Sequence, residues 1–209
     1  MDALWLVWNN ILYVLLTPWM MYVASYRVDL VAADWAWELE TPCLLFCVQI
    51  YRHMCSVQDS CVGSLSVETF EVFEMWCSLM LLSAVISVQM GEISRKRWRP
   101  LTALLSLNLC LVFAANNQET ISLAIVFIVC LLTYCKHKIA AVILNPAKHF
   151  SAILGFILYG TAIFCKQDLG YYTETDERFV EFHGLWHIFS ALGAAALIWD
   201  ARNAPSYFF

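Results

Sequence analysis

A chain of 209 residues that is 61% hydrophobic, only 14% charged and of mean hydropathy +0.66 has the composition of a membrane protein, not of a soluble domain. Its net charge of -5 leaves no basic surface for nucleic acid, and the pattern holds no nucleic-acid module. The opening Met1-Asp2-Ala3-Leu4 lacks the cationic stretch of a cleavable signal peptide, so the first apolar run is expected to stay as a membrane helix.

Seven apolar runs follow one another in one domain, residues 1–209. Helix one is expected over Ala3 to Val23, with Trp5, Trp8 and Trp19 as interfacial anchors. Helix two, Val31 to Met54, carries Asp34, Glu38 and Glu40, which either lie outside the hydrocarbon or line a bundle interior. Helix three spans Thr69 to Met90, helix four Leu101 to Ala115 and helix five Ile121 to Tyr134. Helix six spans Phe150 to Phe164 and helix seven Phe179 to Trp199. Helices four to six are short for a full span, so flanking residues must extend them. The fold class is therefore all-α, a polytopic seven-transmembrane helix bundle.

Basic residues suggest how such a bundle is oriented. Connections 1–2, 3–4, 5–6 and the tail carry Arg27, Arg95, Lys96, Arg97, Arg99, Lys136, Lys138, Lys148 and Arg202, against Arg52, Lys166 and Arg178 on the other side. Nine against three puts the Arg95–Arg99 cluster and the C-terminus in the cytosol and the N-terminus outside or in a lumen. The sequence leaves plasma membrane, endoplasmic reticulum and Golgi open, and also the oligomeric state.

Within that topology, three histidines gather at one height. His183 and His187, four residues apart, share a face one and two turns into helix seven. His53 ends helix two on the same side, and Glu74 lies between one and two turns below the start of helix three. Imidazoles in hydrocarbon need partners or a purpose. Either they are satisfied within a polar bundle interior, or they bind a metal ion. His137 and His149 fall on the opposite side and read as loop residues. Three imidazoles with an open position form the ligand set of a catalytic zinc. Glu74 is then the candidate to hold the attacking water and take its proton, or else a carboxylate paired inside the bundle. Ser78, one turn further on, is a hydrogen-bond donor or a packing residue. Cys55 and Cys61 flank a short outer connection, where a disulfide is expected over two free thiols.

These residues resemble the signature of the CREST superfamily of seven-helix membrane hydrolases. That signature is a histidine late in helix two, an acid early in helix three and His-x-x-x-His in helix seven, matched here by His53, Glu74, His183 and His187. His53-Met54-Cys55 followed by Cys61, and Tyr171-Tyr172 ahead of His183, are similar to the branch of myomaker and the GPI-processing phospholipases. Two positions depart from the family. Its usual aspartate is Glu74, and its serine four residues before the helix-two histidine, a support for the oxyanion, is Gln49. The resemblance implies a zinc-dependent hydrolase acting on an ester or amide bond of a membrane lipid, with Gln49 or Ser78 aiding the oxyanion. The alternative is a non-catalytic, myomaker-like remodeller or receptor that keeps a structural zinc. A transporter using Asp34, Glu38 and Glu40 is a third reading, and the broken-helix pattern expected of one is not evident.

Overall fold

A computed structural model describes residues 3–24, 36–58, 67–90, 92–113, 119–169 and 177–202. Regular structure among them is entirely helical: α1 (Ala3–Ala24), α2 (Ala36–Gln58), α3 (Val67–Ser87), α4 (Glu92–Phe113), α5 (Glu119–Leu144), α6 (Phe150–Leu169) and α7 (Glu177–Ala201). The apolar runs placed these helices to within a few residues, except where charged sequence is helical too. α4 starts at Glu92, so the Arg95–Arg99 cluster rides on its first turns. It is held there by Trp98, whose Nε1 donates to the carbonyl of Ser83, and by Arg99, which reaches Glu38. Similarly, helical structure runs ten residues past Tyr134, with a 68° bend between Ile121–Lys136 and Lys138–Leu144, so His137, expected in a loop, sits at the bend of α5.

α3 is the hub. It packs against α2, α4, α5 and α7, and every residue from Cys77 to Met90 is buried. A helix with no polar face can be stable only when surrounded, which is how α3 is used. α1 lies against α2 and α7, and α5 touches α6, which closes the ring around it. α6 and α7 meet backbone to backbone. A Cβ on Gly193 would lie 2.9 Å from the carbonyl oxygen of Gly155 and 3.0 Å from the amide nitrogen of Tyr159. Small residues permit this approach, and it sets the depth of α7, the helix that carries both site histidines.

α4 and α5 show the reverse of soluble amphipathicity. Thr102, Ser106 and Cys110 of α4 are buried, while Leu101, Leu104, Leu107 and Leu111 are exposed. On α5, Ser122, Cys130 and Lys138 face inward and Ile128, Leu132, Ile139 and Ile143 outward. Among the described residues, the segment Glu181–Ala201 is long and apolar enough by itself to cross a membrane.

Polar side chains inside the bundle form two layers. Thirteen residues separate Glu74 from Ser87 on α3 and His187 from Asp200 on α7, roughly 20 Å of helix. Between the layers lie Leu79, Leu82, Leu45 and Tyr159, all fully buried. At the Asp200 end, Lys138 Nζ donates to Asp200 Oδ2 (3.0 Å) and to Gln89 Oε1 (2.6 Å). The Tyr134 hydroxyl donates to Asp200 Oδ2 at 3.0 Å, and His149 Nδ1 contacts Oδ1 at 2.9 Å. His149 is thus no solvated loop residue. It sits in the turn before α6 and is buried because it serves the Asp200 carboxylate. The same end resolves the open question of the helix-two acids. Glu38 lines the interior, where it takes a bidentate fork from Arg99 and a hydroxyl from Ser87. Glu40 is exposed, and Asp34 lies outside the described residues. Lys138 and Arg99 therefore neutralise buried acids and do not simply face an aqueous side.

Two outcomes follow for thermal melting in detergent. Lys138→Met strands Asp200 in the interior and should cost about 3–5 kcal/mol, whereas Lys138→Met with Asp200→Leu should recover most of the loss. Gly193→Val should lower the melting temperature through overpacking of about 1–3 kcal/mol or more, and should also reduce metal retention by shifting α7.

Candidate metal centre

His183 and His187 lie one turn apart on α7, with ring centroids 4.5 Å apart and both side chains buried. α3 brings Glu74 beside them. One carboxylate oxygen and one nitrogen from each ring lie within 4.8 Å of one another. Ligands around a four-coordinate ion with bonds of 2.0–2.2 Å sit roughly 3.5 Å apart, so small side-chain rotations would close the group on a metal ion. Two imidazoles and a carboxylate with an open fourth position are a known catalytic donor set. These three residues could hold a metal ion.

The hydrogen bonds around His187 orient it for that purpose. The Ser190 hydroxyl donates to the carbonyl of His187 at 3.2 Å. If that proton stays on the carbonyl, Ser190 Oγ accepts from Tyr13, to which it is 2.5 Å away. The phenol oxygen, having given its proton to Ser190, is left to accept from His187 Nδ1 at 3.3 Å. In this direction of the relay Nδ1 carries the proton and Nε2 the lone pair, the form that a ligand through Nε2 needs; with Tyr13 donating to Nδ1 the same distances describe the other tautomer. Gln49 reaches the same Nδ1, with its side-chain amide nitrogen at 3.2 Å. Its Oε1 is buried without a hydrogen-bond partner among the described residues. Exchanging the two amide atoms would turn Oε1 onto an Nδ1 proton and leave Nε2 at the buried position that Oε1 now holds, so the amide contacts Nδ1 in either orientation. Gln49 thereby acts on the orientation of His187.

Glu74 has a partner that the linear pattern left out. Arg52 Nη1 donates to Glu74 Oε2 at 2.6 Å, and both side chains are buried. The expectation that Glu74 might be paired inside the bundle and the expectation that it adjoins the histidines are both met by one carboxylate. Arg52 is adjacent to His53 in the sequence, but as a single basic residue near a helix end it reads as a topology marker. Tyr13 likewise reads as one aromatic among many in an apolar helix.

The remaining expected site residues are placed as follows. Ser78 is buried on α3, one turn after Glu74. His53 belongs to α2 directly after Arg52, and its side chain lies outside the described residues. The pairing expected of Cys55 and Cys61 also falls outside them, Cys55 by its side chain and Cys61 altogether. Among the described residues, Cys43, Cys47, Cys77, Cys110, Cys130, Cys135 and Cys165 form no disulfide.

Compared with family models, with curated proteins and with solved structures, the chain finds no significant match in any of the three. The site must be read from its own geometry.

That geometry makes the relay around His187 testable without any substrate. Tyr13→Phe and Gln49→Ala should each leave the protein folded and weaken divalent-metal retention about 10–100-fold, measured by competition with a chelator. Ser190→Ala should weaken it in the same direction, since the Tyr13 hydroxyl would then donate to His187 Nδ1 and favour the tautomer whose Nε2 carries the proton.

Proposed function

We propose that the chain is a seven-span membrane bundle, with N-terminus outside or lumenal, in which zinc held near the outer face serves the hydrolysis of a membrane lipid. The observation that carries this reading is the convergence of Glu74, His183 and His187, from helices α3 and α7, into one buried group. A buried acid and two buried imidazoles are costly to desolvate, and a shared cation is the simplest compensation. Zinc suits the donor set best, with imidazole and carboxylate ligands and no demand for an octahedral shell. The inverted faces of α4 and α5 support the membrane bundle, because exposed leucine and isoleucine stripes opposite buried hydroxyls and thiols suit lipid surroundings. The short motifs around His53, Glu74, His183 and His187 support membership of the CREST superfamily, near the myomaker and GPI-processing phospholipase branch.

Zinc in such a site supplies a Lewis acid and a water acidic enough to lose its proton near neutral pH. His187 would bind through Nε2, oriented by Tyr13, Ser190 and Gln49. His183 provides the second imidazole from the preceding turn. Glu74 has two roles open to it, and His53 decides between them. With His53 as the third ligand, Glu74 positions the attacking water and accepts its proton. Without it, Glu74 completes the ligand set. Ser78, buried one turn away, is the nearest serine on α3 for a substrate oxygen in the tetrahedral stage.

A second reading is favoured by one contact. The Arg52 guanidinium on Glu74 engages the carboxylate that a general base must use. A myomaker-like remodeller or receptor would keep the zinc as a structural clamp between α3 and α7 and turn over no lipid.

Zinc per protomer in detergent-purified protein should be near one, and should fall close to zero in His187→Ala. If both preparations lack zinc, both readings fail. With zinc present, release of fatty acid or of a lyso-lipid from a mixed-lipid panel, abolished in Glu74→Gln, supports the hydrolase. Zinc without release across the panel supports the structural clamp.

A further inference from the structure

Away from the metal centre, the last turns of α1 and α7 carry a stack of rings with one cation on it. Trp19 and Trp199 lie nearly parallel, with centroids 5.1 Å apart and planes 16° apart. Tyr22 adds a third ring, 5.7 Å from Trp19 and 6.4 Å from Trp199, inclined by 26° and 10°. The stack is fixed by Trp19, whose Nε1 donates to the carbonyl of Ala195 at 3.0 Å. Arg202 lies on it, with the central carbon of its guanidinium 3.7 Å from the centroid of the Trp199 ring. Tyr22 and Arg202 are both exposed, so the cluster reaches the surface of the bundle.

We propose, on the strength of the membrane-bundle reading above, that Arg202 and these rings form a binding site for the phosphate of an anionic phospholipid. Depth is the first argument. The segment Glu181–Ala201 has 21 residues, roughly 32 Å of helix, against a hydrocarbon core about 30 Å thick. Arg202 follows its last residue, where hydrocarbon gives way to headgroups. Tryptophan and tyrosine concentrate at that same level, because each ring joins an apolar body to a polar edge. The second argument is the geometry of the guanidinium. A guanidinium stacked on a ring uses its flat face and leaves the N–H donors of its planar fork at the rim. Among the described residues, those N–H groups of Arg202 have no hydrogen bond or ion pair. A phosphate can take two of them at once through a pair of its oxygens. The third argument is selectivity. Trp199 could otherwise attract the ammonium of a choline headgroup, but it is already covered by Arg202 and stacked on Trp19. The cluster therefore favours a lipid whose phosphate is not neutralised by its own headgroup. The orientation proposed above turns this end to the cytosol, whose leaflet holds the anionic lipids.

The test is native mass spectrometry of the full chain in an uncharged detergent, offered equal amounts of phosphatidate and phosphatidylcholine with identical acyl chains. The parent should carry more phosphatidate, and Arg202→Gln should lower the ratio of the two bound lipids about fivefold, the effect of one basic side chain at a membrane surface. Arg202→Lys keeps the charge without the fork and should retain part of the preference. Trp199→Leu removes the platform and should lower the ratio about twofold or more. Because Arg202 is exposed, Arg202→Gln should melt with the parent, which separates loss of the site from loss of the fold. Equal binding of the two lipids by the parent overturns the proposal, as does a ratio left unchanged by Arg202→Gln. Millimolar inorganic phosphate should leave the ratio as it was; a preference abolished by it identifies a free-anion site and overturns the lipid assignment. Release of the chain from membranes by alkaline carbonate, checked first, overturns the membrane bundle itself, whereas retention with an unchanged ratio overturns the lipid site alone.

Discussion

Among the described residues, each buried charge meets its opposite on another helix. Arg52 of α2 meets Glu74 of α3, Arg99 of α4 meets Glu38 of α2, and Lys138 of α5 meets Asp200 of α7. In a dry interior these contacts are obligations more than gains, since a partner removed leaves an ion that the surroundings cannot solvate. Their effect is register. An apolar helix can slide along its neighbour at little cost, whereas a helix that must deliver a guanidinium to one particular carboxylate cannot. The pairs therefore specify heights that leucines and valines alone leave undetermined.

With heights set, the two polar layers have different characters. At the Asp200 end the carboxylate is surrounded by donors from Tyr134, Lys138 and His149, and Lys138 is in turn bound to Gln89. That layer is closed on itself and ties α3, α5, α6 and α7 together. At the Glu74 end the arrangement converges without closing. One nitrogen of each imidazole and one carboxylate oxygen gather within 4.8 Å of one another, and the chain of contacts from His187 through Tyr13 and Ser190 returns to His187 itself. One layer acts as a structural fastening. The other has the form of a ligand site supported from behind, where the supporting groups orient the His187 ring. Gln49 belongs to that support, which gives a physical reason for an amide there: it reaches Nδ1 of His187.

Much of this was legible in the residue order. Apolar runs located the helices because burial demands continuous hydrophobicity. His183 and His187 declared a shared face through their spacing alone, and the common end of helices two, three and seven placed Glu74 near them. Other parts were hidden. Arg52, Lys138 and Arg99 look like boundary markers in a linear reading, because the sequence shows which residues flank a helix and not which way a long side chain turns. Tyr13 and Ser190 are ordinary members of apolar helices until the packing of α1 on α7 sets one against the other. His149 resembles a solvated loop residue until Asp200 is found beside it.

The sequence by itself determined that this is an all-helical chain of strongly apolar segments with a histidine pair and an acid at matching depth. Local periodicity and composition carry that information without reference to the rest of the chain. Only the tertiary structure decided that Glu74 is shared between the histidines and Arg52, that His187 is held through Nδ1, and that Glu38 lies inside. Those facts depend on distances between residues as far apart as Tyr13 and Ser190, and on the requirement that each buried polar group find a partner on whichever helix the packing brings near.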